Sequence, residues 1–154
     1  MTAAPKHIEL IARALIVRDR RVLTCREIGQ HHCSLPGGHI DPGEAAATAL
    51  SRELAEEAGL GDAHVGACLL VQEHRFDQRG KPKHELNMVF HVEPPERLGP
   101  GCPPIAALEP KLSFAWVAIS DLGDANLLPA EYAGWLASGV DLDKTCWQSS
   151  PAPR

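Results

Sequence analysis

Three glutamates near the middle of the chain are spaced so that they could bind metal ions together. Glu53, Glu56 and Glu57 stand at positions i, i+3 and i+4, which share one face of an α-helix. Like charges at this spacing repel each other, and Arg52 is the only basic residue within the helical run, so we expect positive charge to be supplied from elsewhere. Carboxylate oxygens are ligands that suit hard cations such as Mg²⁺ and Mn²⁺. The spacing therefore predicts a divalent-metal site on a helix.

The residues around the glutamates predict where this helix begins and ends. Asp41 is a good N-cap, Pro42 suits the first helical position, and Glu44 follows the cap by three residues, as in a capping box. Helical propensity is high from Ala45 through Ala58, and Gly59 is placed to end the helix. An apolar stripe beside the glutamate face is predicted to pack on a core and consists of Ala47, Leu50, Leu54 and Ala58.

The stretch from Gly38 to Leu60 resembles the Nudix box, G-x5-E-x7-R-E-U-x-E-E-x-G-U with U aliphatic, at every fixed position. A chance match in a chain of this length has a probability on the order of 10⁻⁸ from average residue usage. The resemblance implies the Nudix fold, an α/β/α sandwich around a mixed β-sheet. It also implies hydrolysis of a diphosphate linked to a further group X, by attack of water on phosphorus in the presence of Mg²⁺ or Mn²⁺.

The same resemblance assigns roles to the residues of the box. Glu53, Glu56 and Glu57 are expected to be direct ligands of one to three ions, and the carbonyl of Gly37 is expected to be a further ligand. Arg52 is expected to orient a glutamate, which is a supporting role with a clear physical basis.

Two other glutamates keep open assignments. Glu44 is either structural, as part of the capping box, or a hydrogen-bonding partner near the metal site. The general base is either Glu57 or Glu109, which precedes a predicted strand in a later loop. An exposed loop acid without a catalytic role is an equally good interpretation of Glu109.

Residues outside the box are candidates for binding the substrate. Gly38 lets the backbone approach a ligand closely, Arg75, Lys81 and Lys83 could meet phosphates, and Phe76 could stack on a base. A charged hairpin tip that is simply solvated is the alternative for the basic residues. The window after the box lacks the proline of ADP-ribose hydrolases and the tyrosine of dinucleoside-polyphosphate hydrolases. Their absence lowers both assignments without excluding them, and a nucleoside triphosphate or a nucleotide sugar remains the predicted substrate class.

Composition limits the remaining possibilities. A chain of 154 residues with 44% hydrophobic residues is predicted to form one domain, 1–154, and a net charge of −5 argues against nonspecific binding of nucleic acid. No apolar run is long enough to span a bilayer, so no membrane partner is expected. Five irregularly spaced cysteines without a secretory segment favour a cytoplasmic protein. A homodimer is an open alternative to a monomer.

The hydrophobic patterning predicts the other elements. A strand at 8–17 and a returning strand at 22–25 form a hairpin, and strands at 63–76 and 86–92 form a second one. The proline-rich segment 93–110 should be irregular, 113–119 a strand, 129–138 a helix with Tyr132 and Trp135 in the core, and 143–154 a loose tail. A zinc site at His31, His32 and Cys33 is the lesser interpretation of that loop.

Two functions from different classes follow from this sequence. The first is a metal-dependent pyrophosphohydrolase, which the complete set of box carboxylates favours. The second is a nucleotide-binding or regulatory module on the same fold that does not turn its ligand over. An isomerase on this fold is a third and lesser alternative, because a fold does not fix the chemistry.

Overall fold

The computed structural model describes residues 4–150. Eight strands and two α-helices follow one another along the chain. Their bounds are β1 Glu9–Leu15, β2 Val17–Arg18, β3 Arg21–Glu27, β4 Gly37–His39, α1 Ala46–Ala58, β5 His64–Gln78, β6 Lys81–Glu93, β7 Leu112–Ala118, α2 Glu131–Ala137 and β8 Cys146–Ser149.

The strands form two sheets. The larger sheet has the order β4-β1-β6-β5-β8 and is mixed, because β1 runs parallel to β6 and β8 runs parallel to β5 while the other neighbours are antiparallel. The smaller sheet, β2-β3-β7, is antiparallel. The predicted α/β class with a mixed sheet is confirmed, whereas the second sheet was not part of the prediction.

The two helices cover opposite faces of the larger sheet. Alternate residues of β1 point to opposite faces, so Ala12 and Ala14 pack in a cluster with Leu50 and Leu54 of α1. Leu15 belongs to the other cluster, which includes Tyr132 and Leu136 of α2. The placement of Tyr132 and of the adjacent Trp135 confirms that these aromatic residues pack with the core.

The helix α1 begins later than predicted. Asp41 and Glu44 form a turn in which the Asp41 N–H donates to the Glu44 carboxylate at 3.2 Å, the return bond of a capping box, but helical backbone starts only at Ala46. The N-cap is Ala45, which has no side-chain cap bond, and Gly43 has a φ of +85° that breaks the helix between the two positions. The box residues therefore close a loop in front of the helix.

The other end of α1 agrees with the prediction. Gly59 adopts the left-handed conformation, with a φ of 65°, and donates its N–H to Ala55, while the Leu60 N–H reaches back to Leu54. This pair of bonds satisfies carbonyls that a helix end leaves unpaired. The apolar stripe needs one correction, because Ala49 is buried and Ala47 is exposed.

Both predicted hairpins have different extents in the structure. Only β2 and β3 pair across the turn at Asp19 and Arg20, because β1 belongs to the larger sheet. The second hairpin is longer than predicted, since β5 and β6 continue to a two-residue turn at Arg79 and Gly80. Both turn residues have positive φ angles, which is the backbone of a tight hairpin turn.

The proline-rich segment after β6 is irregular, as predicted, apart from a single 3₁₀ turn at Glu96–Leu98. In the segment predicted as a loose tail, Cys146–Ser149 instead forms β8 at the edge of the larger sheet. The last four residues of that tail lie outside the described part of the chain. Within residues 4–150, neither helix has the length and hydropathy needed to cross a membrane.

Replacing Leu54 with alanine should destabilise the protein by about 2–5 kcal/mol, because the lost contacts leave a cavity that the core cannot close. The side chain of Leu54 is only 1% exposed and packs between α1 and β1. Urea denaturation of Leu54→Ala, compared with the wild type, measures this change. The matched control is Leu108→Ala, since Leu108 is 61% exposed and should lose little stability. Equal losses in the two variants would contradict the assignment of Leu54 to the core.

Candidate functional site

Two of the four predicted metal ligands, Glu57 and Gly37, line a small cavity between α1 and both sheets. The cavity has a volume of about 190 Å³ and lies between Glu57 of α1, Gly37 of β4 and Arg13 of β1. Cys25 and Glu27 of β3 line the side that faces the smaller sheet. The cavity therefore lies between Glu57, at the end of the acidic face of the helix, and the glycine loop.

Arg52 holds several of the surrounding carboxylates in place. Its guanidinium donates two bonds to Glu44, both at 2.9 Å, and a third to Glu53 at 3.1 Å. Glu56 and Asp41 are farther away, at 3.6 and 3.7 Å. The hydrogen bonds from Arg52 lower the pKa of Glu44 to about 2. Arg52 thus connects the turn before the helix to the acidic face and supplies part of the positive charge that the glutamates need.

Glu44 makes contacts that fit both of its open assignments, the capping-box turn and a hydrogen-bonding partner near the carboxylates. Its carboxylate closes the turn with Asp41, and it also anchors the arginine that contacts Glu53. Glu44 does not line the cavity that contains Glu57. It is placed to act on the acidic face through Arg52.

Glu57 has the most perturbed carboxyl group of the three. Its side chain is half-buried, and this burial, followed by the nearby charges of Glu53, Glu109 and Glu56, raises its pKa to about 7, with Arg13 opposing the shift. No side-chain hydrogen bond or ion pair of Glu57 occurs within residues 4–150. A half-buried and unpaired carboxylate is costly unless a cation or a proton neutralises it.

The two glycines of the loop are required by close contacts. A Cβ atom on Gly37 would collide with the backbone carbonyl of Ala12, and its φ of +142° lies outside the range that other residues favour. A Cβ on Gly38 would lie 2.5 Å from the carboxyl carbon of Glu53. The glycines therefore let β4 pair with β1 and let a carboxylate of α1 lie directly against the loop.

The long irregular segment brings Glu109 towards the site. The N–H of Leu108 donates to the carbonyl of Glu57 at 2.8 Å, which fixes the end of the segment to the last turn of α1. Glu109 itself is exposed, and its charge acts on Glu57. Glu109 therefore lies close enough to Glu57 for its charge to act on that carboxyl, but it does not line the cavity.

The donor set is chemically suited to a hard divalent cation. It offers carboxylate oxygens and a backbone carbonyl, and Glu57 lacks a partner of opposite charge. In the described part of the chain, no three His, Cys, Asp or Glu side chains converge closely enough to hold an ion, because Glu53 and Glu56 turn towards Arg52.

The predicted substrate-binding residues of the second hairpin lie away from the carboxylates. Lys83 is five residues along β6 from Met88, which is level with Gly38, and this corresponds to about 17 Å. Its ammonium group is paired with Glu9 at 2.7 Å. Lys81 lies still closer to the hairpin turn.

The other two hairpin candidates have contacts within the protein. The backbone N–H and the guanidinium of Arg75 donate to Ser150. Phe76 stacks on His74 with 4.7 Å between ring centroids. Among the five predicted substrate-binding residues, only Gly38 is in contact with the carboxylate face.

Arg13 is the residue that the sequence analysis missed. It lies in the strand IELIARALIV, where one arginine within the aliphatic run that follows Glu9 is the signal that could have identified it. The paired glycine loop then determines its position, because Arg13 stands opposite Gly37 in the β1–β4 register.

The loop His31-His32-Cys33 was considered as a zinc site. In the structure Cys33 is buried and its thiol contacts the Ala125 carbonyl.

Comparisons with known proteins agree with this architecture. A family model described as the NUDIX domain matches residues 9–138. An RNA pyrophosphohydrolase of Shewanella piezotolerans is 46% identical over 48 residues, which is 31% of this chain and 28% of that protein, so the match spans under a third of the relative.

Two solved structures resemble the whole fold. The MutT protein from Bacillus halodurans has a TM-score of 0.65 at 14% identity, covering 94% of this chain and 92% of the other. A MutT NUDIX hydrolase from Burkholderia pseudomallei has a TM-score of 0.61 at 22% identity, covering 83% and 96%. At these identities the likeness shows the fold.

Proposed function

We propose that this chain, which belongs to the NUDIX domain family of hydrolases, is a Mg²⁺- or Mn²⁺-dependent pyrophosphohydrolase. Its proposed substrate is a nucleoside diphosphate linked to a group X. The observation that carries the proposal is the half-buried, unpaired carboxylate of Glu57 in a cavity shared with the glycine loop. Glu53, Glu56, Glu57 and the Gly37 carbonyl would hold the cations. A nucleoside triphosphate or a nucleotide sugar is the proposed substrate class.

The residues around the cavity suit this reaction. Divalent cations at such a site neutralise phosphate charge and make a bound water more acidic. Water oxygen forms the new bond to phosphorus, the bridging P–O bond breaks, and the leaving phosphate keeps its electron pair. A carboxylate of Glu57 or Glu109 accepts the proton of the water, and Arg52 keeps Glu53 oriented through the bonds it shares with Glu44.

An RNA pyrophosphohydrolase resembles part of this chain, so RNA is a further substrate to test. The net charge of −5 disfavours a long nucleic-acid contact, although a cation at the carboxylates would reverse the local sign. RNA with a 5′-triphosphate therefore belongs in the experiment as a separate arm. The second function, a module that binds nucleotide without turnover, is another outcome of the same experiment.

The test is a hydrolysis screen of nucleoside triphosphates, nucleotide sugars and 5′-triphosphorylated RNA with Mg²⁺ or Mn²⁺, followed by product chromatography. We expect turnover of at least one small nucleotide and none in EDTA. Binding without turnover by well-folded protein would favour the regulatory module. Hydrolysis in EDTA would contradict the metal requirement.

Metal binding should weaken as the pH falls through about 7, because a proton must leave Glu57 before its carboxylate can bind a cation. The pKa of this group is raised, so the carboxyl is charged above about pH 7 and protonated below it. We expect Mn²⁺ to bind about tenfold more weakly at pH 6 than at pH 8. Isothermal titration in buffers of different ionisation enthalpy measures both the affinity and the released proton. An affinity that is flat across this range would contradict the role of Glu57 as a ligand.

A further inference from the structure

Arg13 lines the same cavity as Glu57 of α1 and uses few of its hydrogen-bond donors within the described part of the chain. One of its five N–H donors is used, by a bond of 3.1 Å from Nη1 to the Leu35 carbonyl. Within residues 4–150, Arg13 forms no other side-chain hydrogen bond and no ion pair. The Arg13 side chain lines a cavity that Glu57 and Gly37 also line.

Arg13 and Arg52 differ in how many of their hydrogen-bond donors the protein itself occupies. Arg52 has carboxylate oxygens of four residues within 4.0 Å, so its donors are occupied by the protein itself. Arg13 is half-buried and reaches no carboxylate at that distance, although its charge lowers the pKa of Glu57. An arginine with free donors in a partly enclosed place is suited to a planar or tetrahedral anion, which it can bind through two N–H groups.

A second group with an unmet hydrogen bond lies near the same arginine. The hydroxyl of Tyr132 is buried and has no partner in the described part of the chain, and the charge of Arg13 acts on it. Tyr132 is 1% exposed and does not line the cavity, so its hydroxyl is a buried neighbour of the arginine and not part of the cavity wall. Arg13 has the same alternation along β1 as Leu15, which packs with Tyr132, so Arg13 lies on the sheet face that α2 covers.

We propose that Arg13 binds a non-bridging phosphate oxygen of the substrate on the side opposite the carboxylates of α1. The inference rests on the proposed function, because it assumes that a diphosphate enters the cavity that Glu57 and Arg13 both line. Cations at the carboxylates would neutralise one side of the diphosphate, and Arg13 would neutralise the other. Arg13 is then a substrate-binding residue outside the Nudix box.

A purely structural role for Arg13 makes different predictions. If its function is to hold the Leu35 carbonyl, its loss should loosen the loop that carries Gly37 and weaken metal binding. If it holds phosphate, its loss should weaken phosphate binding while leaving metal affinity nearly unchanged. Affinity for the metal and affinity for a diphosphate must therefore be measured separately.

The experiment uses methylenediphosphonate, a diphosphate analogue that cannot be hydrolysed, with Mg²⁺ and the full chain. We expect Arg13→Met to weaken its binding by about ten- to a hundredfold, and Arg13→Lys by less, since lysine keeps the charge but loses the paired donors. Affinity for Mn²⁺ alone should change by less than about threefold. Circular dichroism verifies folding, and Arg13→Lys keeps the test valid if Arg13→Met does not fold.

The matched control is Arg26→Met. Arg26 also binds loop carbonyls, those of Gln30 and Ala125, but it points to the opposite face of β3 from the cavity residues Cys25 and Glu27. It should leave diphosphonate affinity unchanged. Unchanged affinity in Arg13→Met, or a parallel loss of Mn²⁺ affinity, would overturn the inference.

Kinetics separate this inference from the proposed function. If the wild type turns over a nucleotide, Arg13→Met should raise KM for it at least about tenfold. Turnover with an unchanged KM in Arg13→Met refutes the role of Arg13 alone. Absence of turnover in the wild type, together with loss of diphosphonate binding in Arg13→Met, refutes the hydrolase proposal and supports the anion site.

Discussion

Glu57→Gln should lower kcat by about a thousandfold or more, because it removes the carboxylate that we propose as a metal ligand or a proton acceptor. Gln keeps the size of the side chain and loses only the charge. Steady-state kinetics with the nucleotide identified in the screen measures the effect. A control at Glu96, a glutamate in the 3₁₀ turn of the irregular segment, should keep wild-type activity as Glu96→Gln.

Glu109→Gln separates the two candidate bases. If Glu109 accepts the proton, this variant loses kcat but keeps its affinity for Mn²⁺, whereas Glu57→Gln loses both.

Glu57→Gln also has an expected effect that does not depend on activity. Its melting temperature in EDTA at pH 8 should exceed that of the wild type, because a half-buried charge with a raised pKa has been removed. Wild-type turnover in Glu57→Gln would refute its assignment to the reacting centre.

Gly37→Ala should abolish activity and destabilise the protein by more than about 2 kcal/mol. The new methyl group would collide with the Ala12 carbonyl, which is backbone and cannot rotate away, so β4 would have to separate from β1. Thermal unfolding and the hydrolysis assay measure the two effects.

Two other glycines provide controls for Gly37→Ala. Gly29 has a φ of +91° and open space around it, so Gly29→Ala should cost only the backbone preference, about 1 kcal/mol. Gly38→Ala meets the carboxyl group of Glu53, which can rotate, so it should lower activity more than stability. Equal stability in Gly37→Ala and Gly29→Ala would show that the backbone contact is unimportant.

Sequence patterns predicted an element correctly where the conformation of one or a few neighbouring residues determines it. The left-handed Gly59 at the end of α1 and the irregular proline-rich segment both follow from the conformational limits of single residues. The start of α1 did not follow, because the same Asp41 and Glu44 bonds that cap a helix can also close a turn in front of one.

Pairing between distant segments could not be read from local patterns. Strand β8 is a short polar segment, and it is a strand only because the edge of β5 offers it hydrogen bonds. The site shows the same limit. The glutamates and glycines were recognisable from their spacing, whereas Arg13 enters the cavity only because β1 pairs with the glycine loop.

The position of the acidic residues along α1 has a consequence for folding. Glu56 and Glu57 lie in the last turn, which contains no basic residue of its own and where the helix dipole is negative. A cation that binds there stabilises the folded chain by mass action, in proportion to the logarithm of its free concentration. Above the dissociation constant, each tenfold increase in free Mg²⁺ adds about 1.4 kcal/mol to the free energy of unfolding. The resistance of the chain to unfolding should therefore follow the ionic composition of its surroundings.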